Sequence, residues 1–159
     1  ILRESCLLSC VMTYLQKISI FMTRIALGWF MFYAGITKVL DPTWSAEGYI
    51  KGAHTFVWFY QLFLNPVVLP VVNFLNAWGL TLLGVSLIFG LFVRWSTIPG
   101  IILMLLYYFA ALDFPHPDAH SFIVDQHVIY SCVLLLFYAY RVGMVWGIDS
   151  LLLRIKNNH

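Results

Sequence analysis

The sequence predicts an all-α fold, a transmembrane four-helix bundle with an interfacial aromatic helix between the first and second spans. Three observations predict it. Hydrophobic residues make up 62% of the 159 positions and charged residues only 10%, and the mean hydropathy is +0.86, far above soluble domains, in which roughly half the residues are apolar. Four stretches, at about 18–40, 67–92, 96–112 and 122–146, can each supply the apolar residues needed to cross a hydrocarbon core. The polar groups gather between these stretches, in 41–66 and 113–121. No low-complexity linker and no repeat divides the chain, so residues 1–159 read as a single membrane domain.

The first span follows Lys17 and runs to Leu40 without a small-residue cleavage site, so it is expected to stay in the mature protein. Met12 opens a stretch resembling a natural start, and residues 1–11 read as an extension without a function. Arg24, Gly28, Gly35 and Lys38 follow one another at intervals of 4, 7 and 3, which keeps them near one helical stripe. Gly28 and Gly35 are expected to form a packing seam, with Gly79 and Gly84 serving the same purpose in the second span. A basic group at membrane depth must snorkel or find a partner. For Lys38, three residues before Asp41, two readings stay open: an ion pair closing the helix, or a cation that orients an anionic substrate.

The segment DPTWSAEGYIKGAHTFVWFYQLFLNP is too long for a tight turn and too polar at its start to span. Trp44, Tyr49, Phe56, Trp58, Phe59, Tyr60 and Phe63 predict a helix lying in the headgroup region. Pro66 and Pro70 mark the start of the second span, and Pro99 falls in the first turn of the third, where a missing N–H costs least.

Ahead of and into the fourth span, DFPHPDAHSFIVDQH holds three Asp and three His. Ser121 is the expected N-cap, with Asp125 one turn in, and His127 and Tyr130 share a face that could carry protons inward. His116 and His120 have a zinc-helix spacing, but Pro115 and Pro117 interrupt the helix, so no metal site is expected. Cys6, Cys10 and Cys132 build neither a disulfide framework nor a zinc pattern. The formal charge of +2 comes without a basic stripe, so nucleic acid is not an expected partner. Placing Arg3, Lys17, Arg94, Arg154 and Lys156 on one side puts both termini in the cytoplasm and the two polar segments together on the outer face.

RIALGWFMFYAGITKVLDP, GLTLLGVSLIFGLFVRWSTIPG, IVDQHVIYSCVLLLF and WGIDSLL together resemble the DoxX/DoxD family of small four-helix membrane proteins. That family includes the DoxD subunit of thiosulfate:quinone oxidoreductase. The likeness is carried by Arg24, Gly28, Gly35, Lys38, Asp41, Pro42, Gly84, Gly90, Arg94, Asp125, His127, Gly147 and Asp149, within about 18–153. Many relatives place a Glu near the start of the second helix, whereas this chain has no acid between Glu47 and Asp113.

The resemblance implies an integral protein of a prokaryotic-type cell membrane, a subunit passing electrons from a small sulfur compound such as thiosulfate to quinone. Asp125, His127 and Tyr130 are the candidate catalytic residues, and Arg24, Lys38, Asp41, Trp44 and His120 the candidate substrate contacts. Quinone is the expected cofactor, with no metal, haem or flavin fingerprint. The expected partners are the lipid bilayer and a second membrane or extracytoplasmic subunit. A non-catalytic scaffold or accessory subunit is the alternative, because the chain has no paired cysteines or other redox motif.

Overall fold

The computed structural model describes residues 13–117 and 120–157, so the extension at 1–11 lies outside the described residues. It is all-α. Helix α1 (Tyr14–Leu40) is followed by two short helices, α2 (Glu47–Lys51) and α3 (Val57–Leu62), then by α4 (Leu69–Phe89), α5 (Val93–Ala111), α6 (Gln126–Ala139), a 3-10 turn (Val142–Met144) and α7 (Ile148–Asn157). Helices α1, α4 and α5 are each long and apolar enough to cross a membrane.

α1 starts four residues earlier than expected, because Thr13 and Gln16 form a capping box in which each side chain takes the other's backbone N–H. α4 ends at Gly90, whose φ of 66° is the left-handed conformation that glycine adopts without strain. α5 begins at once behind it, so the connection between α4 and α5 is short.

Two expected elements differ. The span at 122–146 is a helix of 14 residues, about 21 Å of rise, against a hydrocarbon core of about 30 Å. Asp125 rather than Ser121 is its N-cap, accepting from the N–H groups of His127 and Val128, which delays the start. Arg141 at φ 48° ends it, turning the chain into the 3-10 segment. The single interfacial helix is instead two helices of five and six residues, broken at Gly52 and by the left-handed Phe56.

The long helices pair as α1 with α4 and α5 with α6, joined by a lesser α4–α5 contact. Glycine makes the first pairing close. A Cβ at Gly35 would collide with the Thr81 backbone, one at Gly84 with the Phe32 backbone, and one at Gly28 would sit 2.9 Å from the Leu87 Cβ. Gly79 does not belong to this seam: its nearest neighbour is the tip of Leu103 at 4.0 Å. Leu27, Met31, Leu80, Leu87, Met104 and Leu134 fill the space between the helices.

Candidate functional site

The segment 41–66 folds over the ends of α4 and α5 as an aromatic cap. Its backbone and hydroxyls are held by carbonyls near the end of α5: Tyr60 OH donates to Leu106 (2.6 Å), Tyr49 OH to Tyr107 (2.8 Å) and the His54 N–H to Ala110 (3.1 Å). Thr55 Oγ1 donates to the Leu112 carbonyl. At Ala110 and Leu112 such pairing gives partners to carbonyls that the helix end leaves open. On the α4 side, Asn73 Oδ1 accepts the Ala46 N–H at 2.9 Å. The resulting enclosure raises the Tyr49 hydroxyl to about 12, chiefly by desolvation.

Under this cap lies Lys38. Its Nζ donates to Asn76 Oδ1 and to Tyr107 OH, both at 3.0 Å, and Tyr107 OH donates in turn to the same Asn76 oxygen at 2.7 Å. Trp44 and Tyr107 present ring faces to the ammonium, with centroids 4.8 and 5.3 Å away. Of the two readings open for Lys38, the ion pair with Asp41 does not form. Asp41 instead accepts from the Thr43 N–H (2.9 Å) and Oγ1 (2.6 Å), and these bonds hold its carboxyl below the usual range. Among the described residues Lys38 therefore has only neutral partners.

Tyr107 connects this cluster to the start of α6, its ring lying 5.4 Å from that of His127. His127 Nδ1 meets Asp125 Oδ2 at 2.5 Å, while Asp125 Oδ1 accepts the His127 N–H at 2.9 Å. A strictly helical Asp-x-His would direct the two side chains apart; the extended backbone of an N-cap (φ −115°, ψ −176°) lets the carboxylate turn back to the ring. The carboxylate favours the tautomer with hydrogen on Nδ1, which leaves Nε2 as an acceptor. Tyr49, Ala111, Pro117, Ser121, Asp125 and His127 line a cavity of about 300 Å³ at this point.

The other expected site residues are distributed differently. Tyr130, one turn beyond His127, contributes ring packing against Phe30 at 5.1 Å. His120 and Asp41 are exposed. Arg24 lies nearer the middle of α1, fully buried. Its Nη1 donates to the carbonyls of Val142 and Val145 (both 2.9 Å) and its Nη2 to that of Trp146 (3.2 Å). Gly90 and Gly147 pack against the guanidinium so closely that a Cβ on either would approach Nη1 to 2.8 and 3.0 Å. Nearby, the Asp149 carboxylate accepts the N–H groups of Phe92 (2.8 Å) and Val93 (3.3 Å), capping α5.

Asn76, Tyr107 and Tyr49 are the members of the cluster that the sequence reading did not select as a site. An Asn within FLNAWGL was the available signal, since a polar side chain at membrane depth needs a partner.

A family profile described as DoxX matches residues 19–113. It takes in α1 to α5 with the cap, Lys38, Asn76 and Tyr107, and stops short of Asp125 and His127. No curated protein and no solved structure matches the chain. The profile covers more than half of the sequence and coincides with the three apolar helices, so the chain is an integral membrane protein that belongs to the DoxX family.

Proposed function

We propose that the chain is a subunit of a membrane oxidoreductase passing electrons from a small sulfur anion such as thiosulfate to quinone, at the cap end of a four-helix bundle whose fourth crossing is α6. The observation that carries this reading is the Asp125–His127 pair opening onto a cavity of about 300 Å³ beside the Lys38 cluster. That volume is at the lower bound for small-molecule sites, about 300–1,000 Å³.

A quinone head group needs apolar walls, hydrogen-bond donors for its oxygens and a nearby proton carrier. Tyr49 and Ala111 provide wall, Ser121 and Gln126 provide donors, and His127 Nε2 takes a proton up and passes it on, so the residues fit. Quinone, when bound, supplies a two-electron, two-proton acceptor. Asp125 orients His127 so that Nε2 can exchange a proton at the cavity. Lys38, held by neutral groups under Trp44, attracts the anionic donor. A second membrane or extracytoplasmic subunit would complete the electron path, and both termini would face the cytoplasm.

The test is quinone reduction by the full chain in detergent, with a water-soluble quinone and thiosulfate, alone and with membrane extract supplying a partner. Thiosulfate-dependent turnover is expected, falling about 100-fold or more in His127→Ala. Absence of turnover with every sulfur donor, with or without a partner, removes this reading.

The accessory-subunit reading is favoured by one observation: Phe56, Trp58 and Leu62 on the cap are 52%, 69% and 60% exposed. A stable co-purifying protein that buries these three residues, in a preparation without turnover, would support it.

A further inference from the structure

We infer that the cleft between α7 and the end of α4 is a binding site for an anionic phospholipid, separate from the cap site. The cleft, about 370 Å³, is lined by Phe89, Trp146, Ile148, Ser150, Leu151 and Arg154. It sits where α4 ends and α5 begins, which is headgroup depth for helices that cross the bilayer. Phe89, Ile148 and Leu151 offer an apolar wall for an acyl chain, and Arg154, one turn along α7 from Ser150, offers a cation for the phosphate.

Its walls are fixed by the fold. Arg24 holds the carbonyls of Val142, Val145 and Trp146. The Trp146 ring is braced edge-on by Phe21 and Tyr14, with centroids 5.6 and 5.9 Å away. The first turn of α7 is fastened to the loop after α4 by the Asp149 N–H donating to the Gly90 carbonyl at 3.0 Å and by the Asp149 carboxylate on Phe92 and Val93. A rim this constrained loses little freedom when it closes on a ligand.

Charge selects the occupant. Among the described residues this end carries Lys17, Arg24, Arg94, Arg141 and Arg154 against one carboxylate, Asp149, while Asp41, Glu47, Asp113 and Asp125 all lie at the cap end. Asp149 is already engaged by backbone N–H groups and Arg24 by carbonyls. The remaining cations thus face the headgroups without an acid among the described residues to neutralise them. Helix α7 matches this setting, with Leu151, Leu152, Leu153 and Ile155 exposed beside Arg154.

The test is native mass spectrometry of the full chain in detergent, titrated with phosphatidylglycerol or with phosphatidylcholine of the same acyl chains. Phosphatidylglycerol should be retained at least tenfold more tightly. Arg154→Gln should weaken it about fivefold, the effect of one basic residue at an anionic surface, while Arg141→Gln, off the cleft, changes it less than twofold. Equal retention of the two lipids, an unaffected Arg154→Gln, or an equal loss in Arg141→Gln would each overturn the cleft as the site. So would displacement of the lipid by glycerol phosphate at the same concentration, which would show that the acyl wall contributes nothing. None of these readouts depends on quinone reduction, so the cap site and this one can fail independently.

Discussion

Arg24 and Lys38 stand on one stripe of α1, both basic and both within an apolar helix, and the structure gives them opposite settings. Arg24 is enclosed and donates to three backbone carbonyls of the 142–146 segment, with glycines pressed against its guanidinium. Lys38 is only partly buried and donates to two side chains, Asn76 and Tyr107, beneath the Trp44 ring and near a cavity. Backbone partners cannot leave without refolding, whereas side chains can turn to admit a ligand. A buried cation is therefore a fold element or a site according to what satisfies it, not according to its depth.

The sharpest way to break that comparison is to remove each cation in turn. Arg24→Met leaves three carbonyls without their donor and should cost about 3–5 kcal/mol, read as loss of folded protein in denaturant titration in detergent. Stability close to the parent chain would put Arg24 outside the framework. Next in size, Gly84→Leu drives a side chain into the Phe32 backbone and should cost about 2–3 kcal/mol, whereas Gly79→Ala should stay within about 0.5 kcal/mol. Equal effects at the two glycines would deny the α1–α4 seam its role. Lys38→Met should cost about 1–2 kcal/mol, since Tyr107 still donates to Asn76, yet weaken anion-dependent quinone reduction at least tenfold; the reverse pattern would make Lys38 another Arg24.

The smallest effect concerns the lid over Lys38. Burial raises the Tyr49 hydroxyl from 10.0 to about 12, so the folded chain keeps that proton when the unfolded chain has lost it. The stabilisation is whole below pH 10 and is lost as pH rises from 10 to 12. Ultraviolet titration should show a late phenol step, and Tyr49→Phe should shrink it by one phenol. An unchanged curve in Tyr49→Phe would assign the late step to another tyrosine.

Much of the scaffold was legible because spans announce themselves through length and apolarity. The stretches at 67–92 and 96–112 are α4 (Leu69–Phe89) and α5 (Val93–Ala111). The end of α6 was not legible, since it depends on Arg141 taking a left-handed φ of 48° that nothing in YAYRVGM requires. Nor does Gly52 followed by a left-handed Phe56 read as a break in an aromatic run. At the site, Asp125 and His127 are two residues apart and could be selected from sequence. The partners of Lys38 could not, because residues 38, 76 and 107 meet only when α1, α4 and α5 have packed. Asp41 looked the better partner by proximity, but Thr43 satisfies it locally.

Asp149 has a bearing on how the chain must be made. The first N–H groups of α5 receive their acceptor from a residue 56 and 57 positions later, so a ribosome will have inserted the whole third crossing long before that acceptor emerges. Until then the turn at Phe92–Val93 has only lipid headgroups and water to satisfy it. A reporter fused after Tyr140 would freeze the nascent chain in that condition, and one fused after Asn157 would not.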